Sequence, residues 1–153
     1  MAVFRVNLFN TFENALKRGA FSAPSKTNME YSDFNDLSHW SELEHIKKGN
    51  LLLLCRGVNQ IWAIAYATDD CKITDIDAFR EEIKYEEHGY RYISFHIYKE
   101  LQRPIDGKIF FDKLLTSHNP FIEPHLCMRL QPDKNLLPIF NKAINHLLEI
   151  VLK

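Results

Sequence analysis

Apolar and polar positions alternate over Val3 to Phe9, with Phe4, Val6 and Leu8 on one face, and this period of two predicts a first strand. Asn10, Thr11 and Glu13 then signal a helix start, with Thr11 as N-cap, Asn14 at the third helical position and the helix running to about Arg18. Gly19 stops it, and Phe21, Ser22 and Pro24 follow in an extended segment. A polar stretch from Ser25 to His39, broken only by Met29, Tyr31, Phe34 and Leu37, reads as a short helix on a loop or as a lid. Trp40 to Ile46 reads as a helical turn closed by Lys47, Lys48 and Gly49. Leu51 to Arg56 and Gln60 to Thr68 are apolar runs joined by Gly57, Val58 and Asn59, the pattern of a hairpin.

Beyond the hairpin, a helix is expected over Asp77 to Tyr85, capped by Thr74 or Asp75. Tyr90 to Leu101 alternates Tyr92, Ser94, His96 and Tyr98 against Ile93, Phe95, Ile97 and Lys99, which predicts a strand. Phe110 to Leu115 reads as a short helix, His118, Asn119 and Pro120 as a turn, and Met128 to Leu130 as a last strand. Asp133 to Leu152 is a helix whose apolar face carries Leu136, Phe140, Ile144, Leu147, Leu148 and Val151. Strands dominate the middle and helices the ends. The expected class is therefore α+β, with a strongly curved mixed sheet or small open barrel flanked by helices, in a single domain over 1–153.

A chain of 153 residues with 46% apolar and 25% charged content has the make-up of a soluble domain with one sizeable core. The longest apolar runs are too short to cross a bilayer and no signal-peptide pattern opens the chain, so a cytoplasmic location without membrane partners is expected. Cys55, Cys71 and Cys127 are odd in number and widely spaced, which predicts neither disulfides nor a zinc site, with Cys55 and Cys127 in the core. The 19 basic and 20 acidic residues leave a formal charge of −1. Undirected binding to nucleic acid needs a basic excess, so a nucleic-acid role must rest on a local patch and a specific pocket. Lys17, Arg18, Lys26, Arg103 and Arg129 are the candidate phosphate contacts.

Candidate catalytic chemistry is sparse. No nucleophile elbow, phosphate loop, zinc-protease motif or glycine fingerprint occurs, so neither an enzyme nor a cofactor is expected. Glu81, Glu82, Glu86 and Glu87 have the spacing of a solvated helix face, and His118 with His125 reads as surface or capping histidines rather than a metal pair. The aromatics say more. Phe21, placed just past a helix end beside a serine and a proline, can stand as a ring at the edge of a pocket, and Phe79, Tyr85 and Tyr90 lie on a connection that could close over it.

Taken in order, these motifs resemble the YTH and EVE branch of the PUA-like superfamily, whose members read modified bases. The likeness runs through Phe4 to Leu8, Asn10 with Glu13 and Asn14, and the Gly19 to Pro24 segment, which is similar to the YTH stretch where Gly, an apolar residue, Trp and Ser precede Pro. It continues through the strand pair of Gly49 to Thr68, the strand Tyr92 to Ile97 with Leu101 and Pro104, the turn Leu114 to Pro120, and Arg129 to Asp133. It implies an aromatic cage around a flipped-out methylated base. Phe21 would take the place of the first cage tryptophan, Ser22 would offer its backbone, Asn10 or Asn14 would bond the base edge, and Phe79 or Tyr85 would supply a second ring.

The implied partner is methylated DNA or RNA, with 6-methyladenine favoured and 5-methylcytosine the other candidate. Near-neutral charge fits the DNA-specificity domain of a McrBC-type modification-dependent restriction system, which works with a GTP-driven motor and a nuclease subunit. An RNA reader of 6-methyladenine is the runner-up. A protein-interaction module docking through the acidic 75–87 segment is the alternative from another class, and the absence of a nucleophile motif disfavours a small hydrolase.

Overall fold

The computed structural model describes residues 2–24, 40–74, 90–115, 119–123, 125–132 and 134–151. Among these, seven strands form one mixed sheet: β1 (Val3–Asn7), β2 (Ala20–Pro24), β3 (Leu51–Gly57), β4 (Gln60–Ala67), β5 (Lys72–Thr74), β6 (Tyr90–Asp106) and β7 (Cys127–Arg129). The strand order is β2-β6-β4-β3-β1-β7, with β5 pairing β6 off that path. Only β1 and β3 run parallel; the other pairs are antiparallel. Three α-helices flank the sheet: α1 (Phe12–Arg18), α2 (Gly107–Phe110) and α3 (Leu137–Val151). The fold class is α+β with a curved mixed sheet, as the sequence pattern predicts.

Both faces of the sheet are covered. Phe4, Val6, Leu52, Leu54, Ala63, Ala65, Phe21 and Phe95 pack on the face that carries α1. Val3, Leu51, Leu53, Ile61 and Ile64 pack on the other with Phe111, Phe121 and the Phe140, Ile144 and Leu147 stripe of α3. That double covering explains why β1 is buried at every position and why β3 reads Leu-Leu-Leu-Leu-Cys instead of alternating. Among the described residues two charged side chains are buried: Arg91, which donates from Nε to Glu44 at 3.0 Å, and Arg5, which is fully enclosed and donates from Nη1 to the His125 carbonyl at 2.6 Å and from Nη2 to the Glu123 carbonyl at 2.9 Å. Arg5 thereby ties the backbone at Glu123 and at His125 to β1. Burial pulls its guanidinium below the usual value, while Cys55, Cys127 and Glu123 oppose that shift.

Several boundaries depart from the sequence pattern. β1 ends at Asn7 because residues 9–11 form a 3-10 turn. β6 runs on to Asp106, and the short strand β5 was not anticipated. In place of the helix expected over Phe110 to Leu115, a short helix runs over Gly107–Phe110, capped by Asp106 accepting from the Ile109 amide, and turns follow over 111–114. A Cβ at Gly107 would strike the Phe121 ring, so this close approach needs glycine. The last helix starts at Leu137, behind a 3-10 turn over Lys134–Leu136. The helix expected over 77–85, the polar 25–39 stretch and His118 lie outside the described residues.

Candidate nucleic-acid interface at the α1–β2 corner

The corner that the resemblance points to is built around Gly19. This residue has φ 67°, the left-handed conformation that ends a helix, and its amide donates to the Ala15 carbonyl at 2.8 Å. The chain then reverses into β2, which pairs with β6 through Ala20 opposite Ser94, Phe21 opposite Ile93 and Ser22 opposite Tyr92. The Phe95 amide donates to the Gly19 carbonyl at 2.8 Å, which fixes the phase of this ladder. In an antiparallel pair the bonded positions alternate, so Phe21 and Ala23 bond to β6 while Ala20, Ser22 and Pro24 turn their backbone groups away from it. Pro24, with no amide proton to donate, suits that outward phase. The backbone of Ser22 therefore faces away from β6, at the end of the strand order, with no backbone partner among the described residues.

Side chains alternate too, and this corrects the expected place of Phe21. Its ring is 3% exposed, part of the core on the α1 face, and its centroid lies 6.0 Å from that of Phe95. It is not held at an open edge. Pairing with β6 sends the Phe21 side chain into the core, and burial of a phenylalanine there contributes about 1.5–3 kcal/mol. Ser22 points to the opposite face, where its Oγ is buried without a partner among the described residues.

The opposite end of α1 is exposed. Asn10, in the 3-10 turn, and Asn14, one helical turn on, are both solvent-facing, as are Lys17 and the backbone-candidate Arg18. No hydrogen bond or ring contact among the described residues joins Asn10 or Asn14 to Phe21 or Ser22. Thr11 occupies the N-cap position of α1, yet its Oγ1 bonds back to the Leu8 carbonyl at 2.6 Å instead of capping. Beside it, Arg56 of β3 pairs with Glu13 at 3.2 Å and stands over the Phe12 ring at 5.9 Å.

Arg103 and Arg129 do not share one patch. Arg103 is exposed on β6 where its pairing with β4 slips, Ile61 facing Ile105 and Ala63 facing Glu100. Arg129 lies on β7, at the other end of the strand order from β2, and lines an open cleft of about 370 Å³ with Gln131, Leu137, Phe140 and Asn141. Lys26, Phe79 and Tyr85 lie outside the described residues.

Sequence reasoning missed two aromatic features on this molecule. Phe9 is 44% exposed and has φ 47°, the only non-glycine residue with positive φ among the described residues. Tyr66, His96 and Tyr98 form a contacting group across β4 and β6, with centroids 5.4 Å and 4.7 Å from Tyr66. Alternation in the strands signals the second group. Nothing in the sequence signals the first, because a positive φ at phenylalanine defies its local preference.

The thiols offer no reactive centre. Burial pushes Cys55 up to about 12 and raises Cys127 as well, Arg5 opposing both, and Cys71 is raised chiefly by its own burial. All three remain protonated near neutral pH. Among the described residues no group of three or more His, Cys, Asp or Glu side chains is placed to hold a metal ion, and no helix is long and apolar enough to cross a membrane.

No family model and no curated protein matches the sequence. Among solved structures, the chain is similar to a protein from Pseudomonas putida with TM-score 0.51 and 11% identity, covering 90% of this chain and 97% of that one. It is also similar to the Mmi1 YTH domain, with TM-score 0.47 and 11% identity over 95% of this chain and 99% of that one. A hypothetical protein from Leishmania major gives TM-score 0.48 and 7% identity over 95% and 96%. At such identity the likeness to the Pseudomonas putida protein is one of fold.

Proposed function

We propose that this chain reads a modified base in nucleic acid, with 6-methyladenine favoured over 5-methylcytosine. The observation that carries the reading is the outward-facing backbone of Ser22 on β2, at the position where the sequence resemblance expects backbone groups to meet a base edge. Asn10 and Asn14, exposed on the preceding turn and helix, supply amide donors and acceptors of the kind that read a base edge. Lys17 and Arg18 contribute positive charge at the end of α1 that leads into β2. Phe21 serves this reading from inside the core by fixing the strand that presents Ser22, and Phe79 or Tyr85 would supply a ring.

Energetics permit such a reader. Extruding a base costs a few kcal/mol, stacking on an aromatic ring returns about 1–3 kcal/mol, and burying a methyl group adds about 0.8 kcal/mol. The formal charge of −1 allows few phosphate contacts, so affinity should depend only weakly on salt. In this reading the domain gives DNA specificity to a modification-dependent restriction system, acting with a GTP-driven motor and a nuclease subunit; an RNA reader shares the same site chemistry.

The test is a binding panel of short DNA and RNA oligonucleotides, single-stranded and duplex, carrying 6-methyladenine, 5-methylcytosine or no modification. Tighter binding to one modified oligonucleotide, weakened by Ser22→Pro and by Asn10→Ala, supports the reading. Ser22→Pro removes an amide that faces away from β6 and a hydroxyl without a partner among the described residues, so the ladder should survive it. Equal binding to all oligonucleotides, or to none, overturns it.

A further inference from the structure

The turn between β1 and α1 holds an aromatic ring in a place where folding alone does not favour one. Phe9 has a left-handed backbone, φ 47°, and leaves 44% of its surface in solvent. Bulky residues avoid that conformation because Cβ crowds the backbone, and glycine or asparagine would occupy it with less strain. A ring that is only partly buried gains less from burial than a phenylalanine in the core. The conformation is nevertheless firmly held: the Phe9 amide donates to the buried Asn7 Oδ1 at 3.3 Å, and its carbonyl accepts from the Phe12 amide. The flanking residues are pinned as well, since the Leu8 amide donates to the Cys55 carbonyl at 2.9 Å and the Thr11 amide to the Leu8 carbonyl at 2.9 Å. Strain that the surroundings over-determine in this way is the kind found at binding sites.

We infer that Phe9 is a stacking residue for the bound nucleic acid, packing its ring on a base whose polar edge is met by the neighbouring Asn10. This inference rests on the modified-base reading above and adds a residue to the same site. The chemistry matches: a rigidly placed flat apolar face stands next to an exposed amide that can donate and accept, on a turn that leads to exposed Asn14. Phe21, the ring the resemblance assigns to stacking, is enclosed in the core and leaves that role open on this side of α1.

The experiment compares wild type, Phe9→Gly, Phe9→Tyr and Asn10→Ala for binding to the modified oligonucleotide preferred in the panel, with thermal unfolding of each. A 2-aminopurine placed beside the modified base reports stacking directly through its fluorescence. Phe9→Gly should weaken binding about 5- to 100-fold and abolish the fluorescence change, the range expected for loss of one base–ring stack. Phe9→Tyr should restore both, and Phe9→Gly should unfold no earlier than wild type by more than a few degrees. If wild type discriminates and Asn10→Ala loses binding while Phe9→Gly does not, the inference falls and the base-reading function stands. If wild type fails to discriminate, the function falls and takes the inference with it. Loss of self-association in Phe9→Gly, seen by sedimentation without any change in nucleic-acid binding, would assign the ring to a protein interface and also overturn it.

Discussion

Phe9 and Phe21 stand at the two ends of α1, one 44% exposed on a left-handed backbone, the other 3% exposed in an extended strand. The buried ring sits in a relaxed conformation and is packed against Phe95; the exposed ring sits in a strained one whose backbone is held by hydrogen bonds. Stability accounts for the first and not for the second. A ring that adds to the core shapes a site indirectly, by setting the strand that borders it. A ring that stability alone would replace is the better candidate for contact with a ligand.

Substitutions along this segment can break or sharpen that contrast. The largest effect should come from Phe21→Ala, which empties a core position and should lower the free energy of unfolding by about 3–5 kcal/mol in urea titration. A cost below about 1 kcal/mol would place the ring outside the core and end the contrast. Gly19→Ala should follow, at about 1–2 kcal/mol, because alanine resists the left-handed conformation, while its Cβ would meet the Phe95 carbonyl oxygen at an ordinary contact distance of 3.4 Å.

Phe9→Gly should change unfolding free energy by no more than about 1 kcal/mol, since relief of the left-handed backbone offsets the partial burial lost and the greater freedom of unfolded glycine. Arg56→Ala should have the smallest effect, at most about 1 kcal/mol and shrinking with salt, because both partners of the Arg56–Glu13 pair are half or more exposed. A larger loss at Arg56 would show that its packing over Phe12 helps to hold the turn that carries Phe9.

Much of the fold was legible in the residues. The alternation of Phe4, Val6 and Leu8, the hairpin on either side of Gly57 to Asn59, the stop at Gly19 and the Phe140, Ile144 and Leu147 stripe all appear where the pattern predicts them. Burial of Cys55 and Cys127 was legible too, from their place within apolar runs. The candidate site was legible only in part. Asn10, Asn14 and Ser22 were identified through resemblance, while the scatter of Arg103 and Arg129 over different strands depends on sheet order, which no local signal encodes.

By itself the sequence determined which segments become strands and helices and that α1 stops at Gly19, because side-chain periodicity and glycine's freedom are local properties, while other element ends shifted with their partners. Only the tertiary structure decided which face each strand turns inward and which backbone groups turn away from a neighbouring strand. Pairing with β6 drew Phe21 into the core and left the Ser22 backbone facing outward, and bonds to Asn7 and Phe12 fixed Phe9 against its own preference. Those outcomes come from partners distant in the chain or from strain that local propensity opposes, and neither is written in the pattern of a single segment.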